Sequence, residues 1–142
     1  MGVSAAILVT GDLAVFTPDF GPAIVVVRPG TLAGSGPARH SGKPVCVEGD
    51  ESKVQVPGCS YVAGNFSTPG VGTLEIQRLA DDQLSRGVQT GGKHVLRAQG
   101  EFVARFTVTV PATQPGPTPT PDATPSYTGR GQFTTTNLNA RG

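Results

Sequence analysis

Charge is scarce in this chain: 15% of its 142 residues are Asp, Glu, Lys or Arg, and 11 basic against 10 acidic residues leave a net charge of +1. With the two signs interspersed, no basic stripe exists to displace counterions from phosphates, so nucleic acid is not expected as a partner. Aromatic residues make up 6%, with no Trp and two Tyr, which removes most of the flat rings that sugar-binding surfaces stack on. Two Cys are too few for a disulfide framework. No apolar run approaches the roughly 20 residues of a membrane span, and residues 1–10 lack the positive flank of a secretory signal. The expectation is a protein made in the cytoplasm without a signal peptide, its cysteines reduced or bound to metal. Catalytic patterns are missing too. No Ser stands in a nucleophile elbow, no carboxylate pair stands out, and no glycine run fits a phosphate loop, because Lys43 and Lys93 are followed by Pro44 and His94 where Ser or Thr is required. An enzyme is not expected.

What the chain has instead is punctuation, 20 Gly and 13 Pro. These cut the apolar residues into short runs at 5–9, 13–16, 23–27, 45–47, 61–62, 74–76, 95–96 and 102–110, a strand rhythm. In the last run Phe102, Ala104, Phe106, Val108 and Val110 fall on one face, and Val103, Arg105, Thr107 and Thr109 on the other. That is the alternation of a half-buried antiparallel strand. Pro29-Gly30, Gly34-Ser35-Gly36-Pro37, Pro57-Gly58, Pro69-Gly70 and Gly91-Gly92 supply turns between runs. Only residues 79–88 read as a helical turn or two, opened by Asp81 and Asp82 and closed by Gly87. The fold class is all-β, built of short strands and tight turns. A weak echo links Gly42-Lys43-Pro44-Val45-Cys46, followed by Gly49-Asp50, with Gly92-Lys93-His94-Val95-Leu96, followed by Gly100-Glu101. It suggests a repeated turn-strand-turn unit.

Composition breaks after Val110. Residues 111–125 hold six prolines and four threonines, with no apolar side chain larger than alanine. Short of amide donors and biased to the extended polyproline form, 111–126 reads as a semi-rigid spacer. Residues 127–142 are polar around Thr134-Thr135-Thr136, with Phe133, and read as an extended or mobile tail able to add itself as a strand to another surface. The plan is a β-rich domain at 1–110, a spacer at 111–126 and a tail at 127–142.

The chemistry-bearing set is His40, Cys46, Cys59 and His94, all in turns or at strand ends. Two thiolates and two imidazoles would complete the closed tetrahedral shell of a structural zinc, which gives a small domain folding energy that a thin core lacks. The spacing matches no standard finger. A 46–59 disulfide is the alternative pairing, and Cys46, between Val45 and Val47, also reads as a small apolar residue. His40, after Arg39, reads equally as a solvent-facing loop histidine. Glu48, Asp50 and Glu51 lack the twelve-residue calcium loop and read as a solvated turn.

The segment Gly36-Pro37-Ala38-Arg39-His40-Ser41-Gly42-Lys43-Pro44-Val45-Cys46-Val47-Glu48-Gly49-Asp50-Glu51, with Pro69-Gly70-Val71-Gly72-Thr73-Leu74 and Gly100-Glu101-Phe102 behind it, resembles PAAR-like spike tips. These cap the central spike of contractile injection systems: phage tails, type VI secretion machines and extracellular injection particles. The resemblance implies a small β-rich cone whose broad base sits on a trimeric β-helical spike protein. It implies a zinc near the apex, with His40, Cys46, Cys59 and His94 as the candidate ligands. The family's usual three histidines and one cysteine are not matched, and its Pro-Ala-Ala-Arg motif survives only as Pro37-Ala38-Arg39. Tips of this kind act mechanically, contact the target membrane only in piercing it, and commonly carry effector cargo on extensions. Two other readings compete: a β-sandwich module binding carbohydrate or acting as an adhesin, and another structural protein of a phage-like baseplate.

Overall fold

The computed structural model describes residues 6–40 and 42–135, with side chains throughout except at 86–89. It is all-β, as expected. The strands are β1 (Leu13–Phe16), β2 (Asp19–Phe20), β3 (Ala23–Val25), β4 (Gly30–Thr31), β5 (Arg39–His40), β6 (Lys43–Pro44), β7 (Gln55–Ala63), β8 (Phe66–Arg78), β9 (Leu84–Thr90), β10 (Lys93–Leu96), β11 (Phe102–Val110), β12 (Thr113–Gln114), β13 (Thr120–Pro121) and β14 (Ser126–Thr134). Among the described residues the helical pieces are two 3₁₀ turns, Asp50–Lys53 and Asp81–Gln83. No helix among them is long and apolar enough to cross a membrane.

An antiparallel sheet in the order β2-β3-β7-β8-β11-β14-β1-β4 organises the molecule, and β9–β10 and β5–β6 form separate two-stranded pieces. The sheet curls until its first strand reaches across it. The Phe20 ring of β2 lies against Gly129 of β14, where an added Cβ would come within 2.7 Å of the ring. The inner face carries the core: Phe16 meets Phe102 edge-on at 5.4 Å, Tyr61 meets Phe106 at 5.1 Å, and Phe102 packs on Phe133 at 5.0 Å. Five buried Phe cannot be packed inside so small a curl without holes to receive them. Glycines provide these: Gly131 stands opposite Phe102 in the β11–β14 register, and Gly72 lies under the Phe106 ring.

β11 shows the alternation read from the sequence as far as Phe106, with Phe102, Ala104 and Phe106 buried. Val108 is partly buried against the core, and beyond it a register shift between Val108 and Val110 turns Val110 outward, where it is 57% exposed. The bulge ends the core face early. The helical reading of 79–88 holds for one turn only. The Ala80 amide donates to Gln83 Oε1 at 2.9 Å across Asp81–Gln83, and then the chain straightens into β9, with Gly87 inside the strand. The cause lies downstream. Gly91 and Gly92 both take positive φ, 59° and 78°, the demand of a tight two-residue hairpin, which pairs β9 with β10.

The stretch after Val110 also departs from the spacer-and-tail plan. β14 lies inside the sheet, between β11 and β1, with Phe106 opposite Tyr127 and Ala14 opposite Phe133. The segment before it leaves β11, pairs briefly as β12–β13, and returns. Of the expected tail, residues 136–142 lie outside the described residues.

Candidate functional site

Three short segments that belong to no long strand meet at one end of the sheet. Residues 7–9, 45–47 and 95–97 are joined by antiparallel bridges Ile7↔Arg97, Val9↔Val45 and Val47↔Val95. The first residue of each segment thus pairs with the last residue of another, and the three close into a triangle. At its centre the backbone bonds run in a ring: the Leu8 amide donates to the Leu96 carbonyl (3.0 Å), Leu96 to Cys46 (2.9 Å), and Cys46 to Leu8 (2.9 Å). A second bond braces each corner, from Ala98 to Ala6 (2.8 Å), Thr10 to Pro44 (3.0 Å) and Glu48 to His94 (2.9 Å). The result is a pseudo-threefold strand junction inside a single chain.

Side chains alternate across the junction as strand geometry requires. Leu8, Cys46 and Leu96, each 0% exposed, enter the main core, while Ile7, Val9, Val45, Val47 and Val95 form a separate buried cluster. The corners repeat in detail. Val9-Thr10-Gly11-Asp12 and Val47-Glu48-Gly49-Asp50 are the same turn: Gly11 and Gly49 have φ of 97° and 101°, and the Asp12 and Asp50 carboxylates accept from the Val9 and Val47 amides, each at 2.8 Å. At the third corner Gly100 stands where the others have Asp, and the carboxylate of Asp82, brought by the second 3₁₀ turn, occupies the space its side chain would enter. Each segment then feeds a strand running away from the junction, β1, β7 and β11 respectively. Lys43 and Lys93, two residues ahead of Val45 and Val95, stand exposed beside two of the corners.

The echo between Gly42-Lys43-Pro44-Val45-Cys46 and Gly92-Lys93-His94-Val95-Leu96 is therefore structural, since these are two of the three corners. Sequence reading missed the third because Ile7-Leu8-Val9 has no Gly-Lys before it. The doubled Val-x-Gly-Asp was the signal that could have found it.

The four residues read as zinc ligands fall in different settings. Among the described residues, no three His, Cys, Asp or Glu side chains come together to hold a metal. Cys46 sits at the centre of the junction, where burial first, then the carboxylates of Asp50 and Asp12, push its thiol up to about 12. Cys59 lies in β7, 1% exposed, its thiol donating to the Val56 carbonyl at 3.6 Å with the Arg28 guanidinium at 3.9 Å. Both thiols are free, so the 46–59 disulfide does not form. His94 is in β10 with Nδ1 2.8 Å from the Ser85 carbonyl, and His40 is in β5, paired with Lys43. The set does not fit a tetrahedral zinc. Asp50, read as part of a solvated turn, is buried and holds the Ser35 hydroxyl at 2.6 Å as well as the Val47 amide.

Sequence reading also missed a polar cluster at the other end of the strands. Asp122, 5% exposed, accepts from the Tyr61 hydroxyl at 2.8 Å and the Tyr127 hydroxyl at 2.6 Å.

Among curated proteins none matches the chain. Residues 3–142 match a family described as contractile injection system spike tip protein, and the chain belongs to that family. The resemblance drawn from residues 36–51 is borne out at this level, and with it a structural role at the tip of the central spike.

Proposed function

We propose that the protein caps a trimeric β-helical spike, seating its strand junction on the blunt end of the three chains, and that its opposite end leads through the target membrane. The role is mechanical, with no reaction catalysed. The observation that carries this reading is the closed ring of Leu8, Cys46 and Leu96. A single polypeptide standing on a threefold axis has to present three near-equivalent surfaces, and a chain without that duty has little reason to close three segments so far apart in sequence around one point. The polarity of the body supports it. β1, β7 and β11 leave the junction, and the turns at their far ends, Gly64-Asn65 between β7 and β8 and the proline-rich loop after β11, gather at the opposite pole.

The test is reconstitution with the trimeric spike protein of the same particle. One tip should bind each spike trimer, and imaging of the particle should place the junction against the spike and the proline-rich loop outermost. Equal numbers of tip and spike chains, or a complex seated through the proline-rich end, would overturn the proposal.

A further inference from the structure

The proline-rich loop has little means of holding itself in place. Pro115, Pro117, Pro119 and Pro121 have no amide to donate, and its own pairing amounts to Thr113 with Pro121 and Gln114 with Thr120. Yet its neck is tied into the core. The Asp122 amide donates to the Ala112 carbonyl at 2.8 Å, and the Ala112 amide donates in turn to the Tyr61 hydroxyl at 3.0 Å. Asp122 Oδ2 receives both phenols, and Oδ1 receives the Thr124 amide at 3.0 Å. One buried carboxylate thereby joins β7, the neck of the loop on both sides, and the start of β14. Ring packing extends the tie, since Tyr61 meets Phe106 at 5.1 Å and Tyr127 at 6.0 Å.

We propose that the end remote from the junction is stiffened by this Tyr61–Asp122–Tyr127 clasp and not by a metal ion. A structural metal works by cross-linking segments far apart in sequence through short directional bonds. Here the Asp122 carboxylate ties Tyr61 of β7, distant in sequence, to Tyr127 and the Thr124 amide beside the loop, whereas His40, Cys46, Cys59 and His94 do not come together. Charge-assisted hydrogen bonds in a site closed to water are the strong kind, and leaving such a carboxylate without its donors is costly. Only the description of this end as the leading one rests on the proposed function; the clasp itself does not.

The experiment uses the purified full-length chain. Metal content is measured, and thermal unfolding is followed with and without EDTA and with added zinc. Tyr127→Phe, Asp122→Asn and the double substitution Cys46→Ala with Cys59→Ala are compared, and amide exchange is read at Ala112 and Thr124. The proposal expects no stoichiometric metal and no response to chelator. It expects a fall in Tm of roughly 5 °C or more for Tyr127→Phe and Asp122→Asn, with exchange at Ala112 and Thr124 at least tenfold faster in Tyr127→Phe, which removes one hydroxyl only and so keeps the fold. One zinc per chain whose removal lowers Tm would overturn it. So would unchanged Tm and exchange in the Tyr127 and Asp122 variants. A chain that behaves as expected here but fails to bind the spike would sink the docking proposal alone.

Discussion

At Gly131 the Phe102 ring fills the place a side chain would take: an added Cβ would lie 2.5 Å from a ring carbon and as close to the Val15 carbonyl. Neither neighbour is the free end of a flexible chain, so Gly131→Ala should destabilise the protein by roughly 1–3 kcal/mol, the usual cost of overpacking, and urea unfolding would read it. Cys46 is a second residue whose role its surroundings decide. Between Val45 and Val47 it could be read as a small apolar residue, and that reading describes its environment better than a ligand does. With its thiol raised to about 12 and no exposure, it should resist iodoacetamide in the native chain at pH 8 and react only after unfolding. Asp122 could not be singled out, because nothing in Pro121-Asp122-Ala123 says that two phenols from distant strands close over it. Burial acts to raise its pKa, but hydrogen bonds from Tyr127, the Thr124 amide and Tyr61 outweigh that and hold it below the ordinary 3.8. A depressed carboxylate stabilises the fold fully above the unfolded value and loses that contribution as pH falls through the folded one. Tm should therefore drop below about pH 4, and Asp122→Asn should flatten that limb. Tyr61, raised to about 12 chiefly by burial, works in the other direction. Stability should decline as pH climbs from 10 towards 12, when the unfolded chain ionises first.

Elements were legible in the sequence wherever the apolar pattern was written in large side chains. β11 could be placed because Phe102, Ala104 and Phe106 alternate with Val103, Arg105 and Thr107. β14 alternates just as strictly, with Tyr127, Gly131 and Phe133 buried and Thr128, Arg130 and Gln132 exposed. Its inward middle positions are Gly129 and Gly131, however, because rings from β2 and β11 occupy the space. A hydrophobic face built partly of holes leaves no hydrophobic signature, and so the segment read as a polar tail. The pairing with β1 and β11 gives that element a definite consequence. Removing residues 126–142 would strip a central strand from the sheet, uncovering Phe102, Phe106 and the backbone edges of both neighbours. The truncated chain should be insoluble, or soluble without cooperative unfolding, where a dispensable tail would leave Tm unchanged. Residues 79–88 failed for a different reason: local acidic residues favoured a helical start, but the Gly91-Gly92 hairpin imposed pairing from outside the segment.

On the scale of the whole molecule the strands define an axis with unlike poles, a triangular junction and a proline-rich loop held by a clasp. The candidate site was half legible, since the repeat surfaced as an echo of two corners, but the third corner and the ring that joins them depend on contacts between residues far apart in sequence. If the junction is the seat, a surface change at its rim should act on assembly without acting on stability, and added length in the exposed proline-rich loop, away from the clasp, should do neither. Lys43 and Lys93 suit the first test, being exposed, beside equivalent corners, and in no ion pair among the described residues. Charges at the rim of an interface govern the rate and salt dependence of association more than the fold of either partner. Lys43→Glu combined with Lys93→Glu should therefore weaken binding to the spike about tenfold or more, the scale of one lost rim interaction at 1.4 kcal/mol, with Tm unchanged. For the second test, a short Gly-Ser insertion between Pro117 and Thr118 falls in an exposed loop tip, where added length is tolerated. That variant should bind the spike normally and place its insert at the outer extremity of the particle. The reverse pattern, binding lost on insertion at the proline loop and retained with both lysines reversed, would mean that the molecule stands on its spike the other way up.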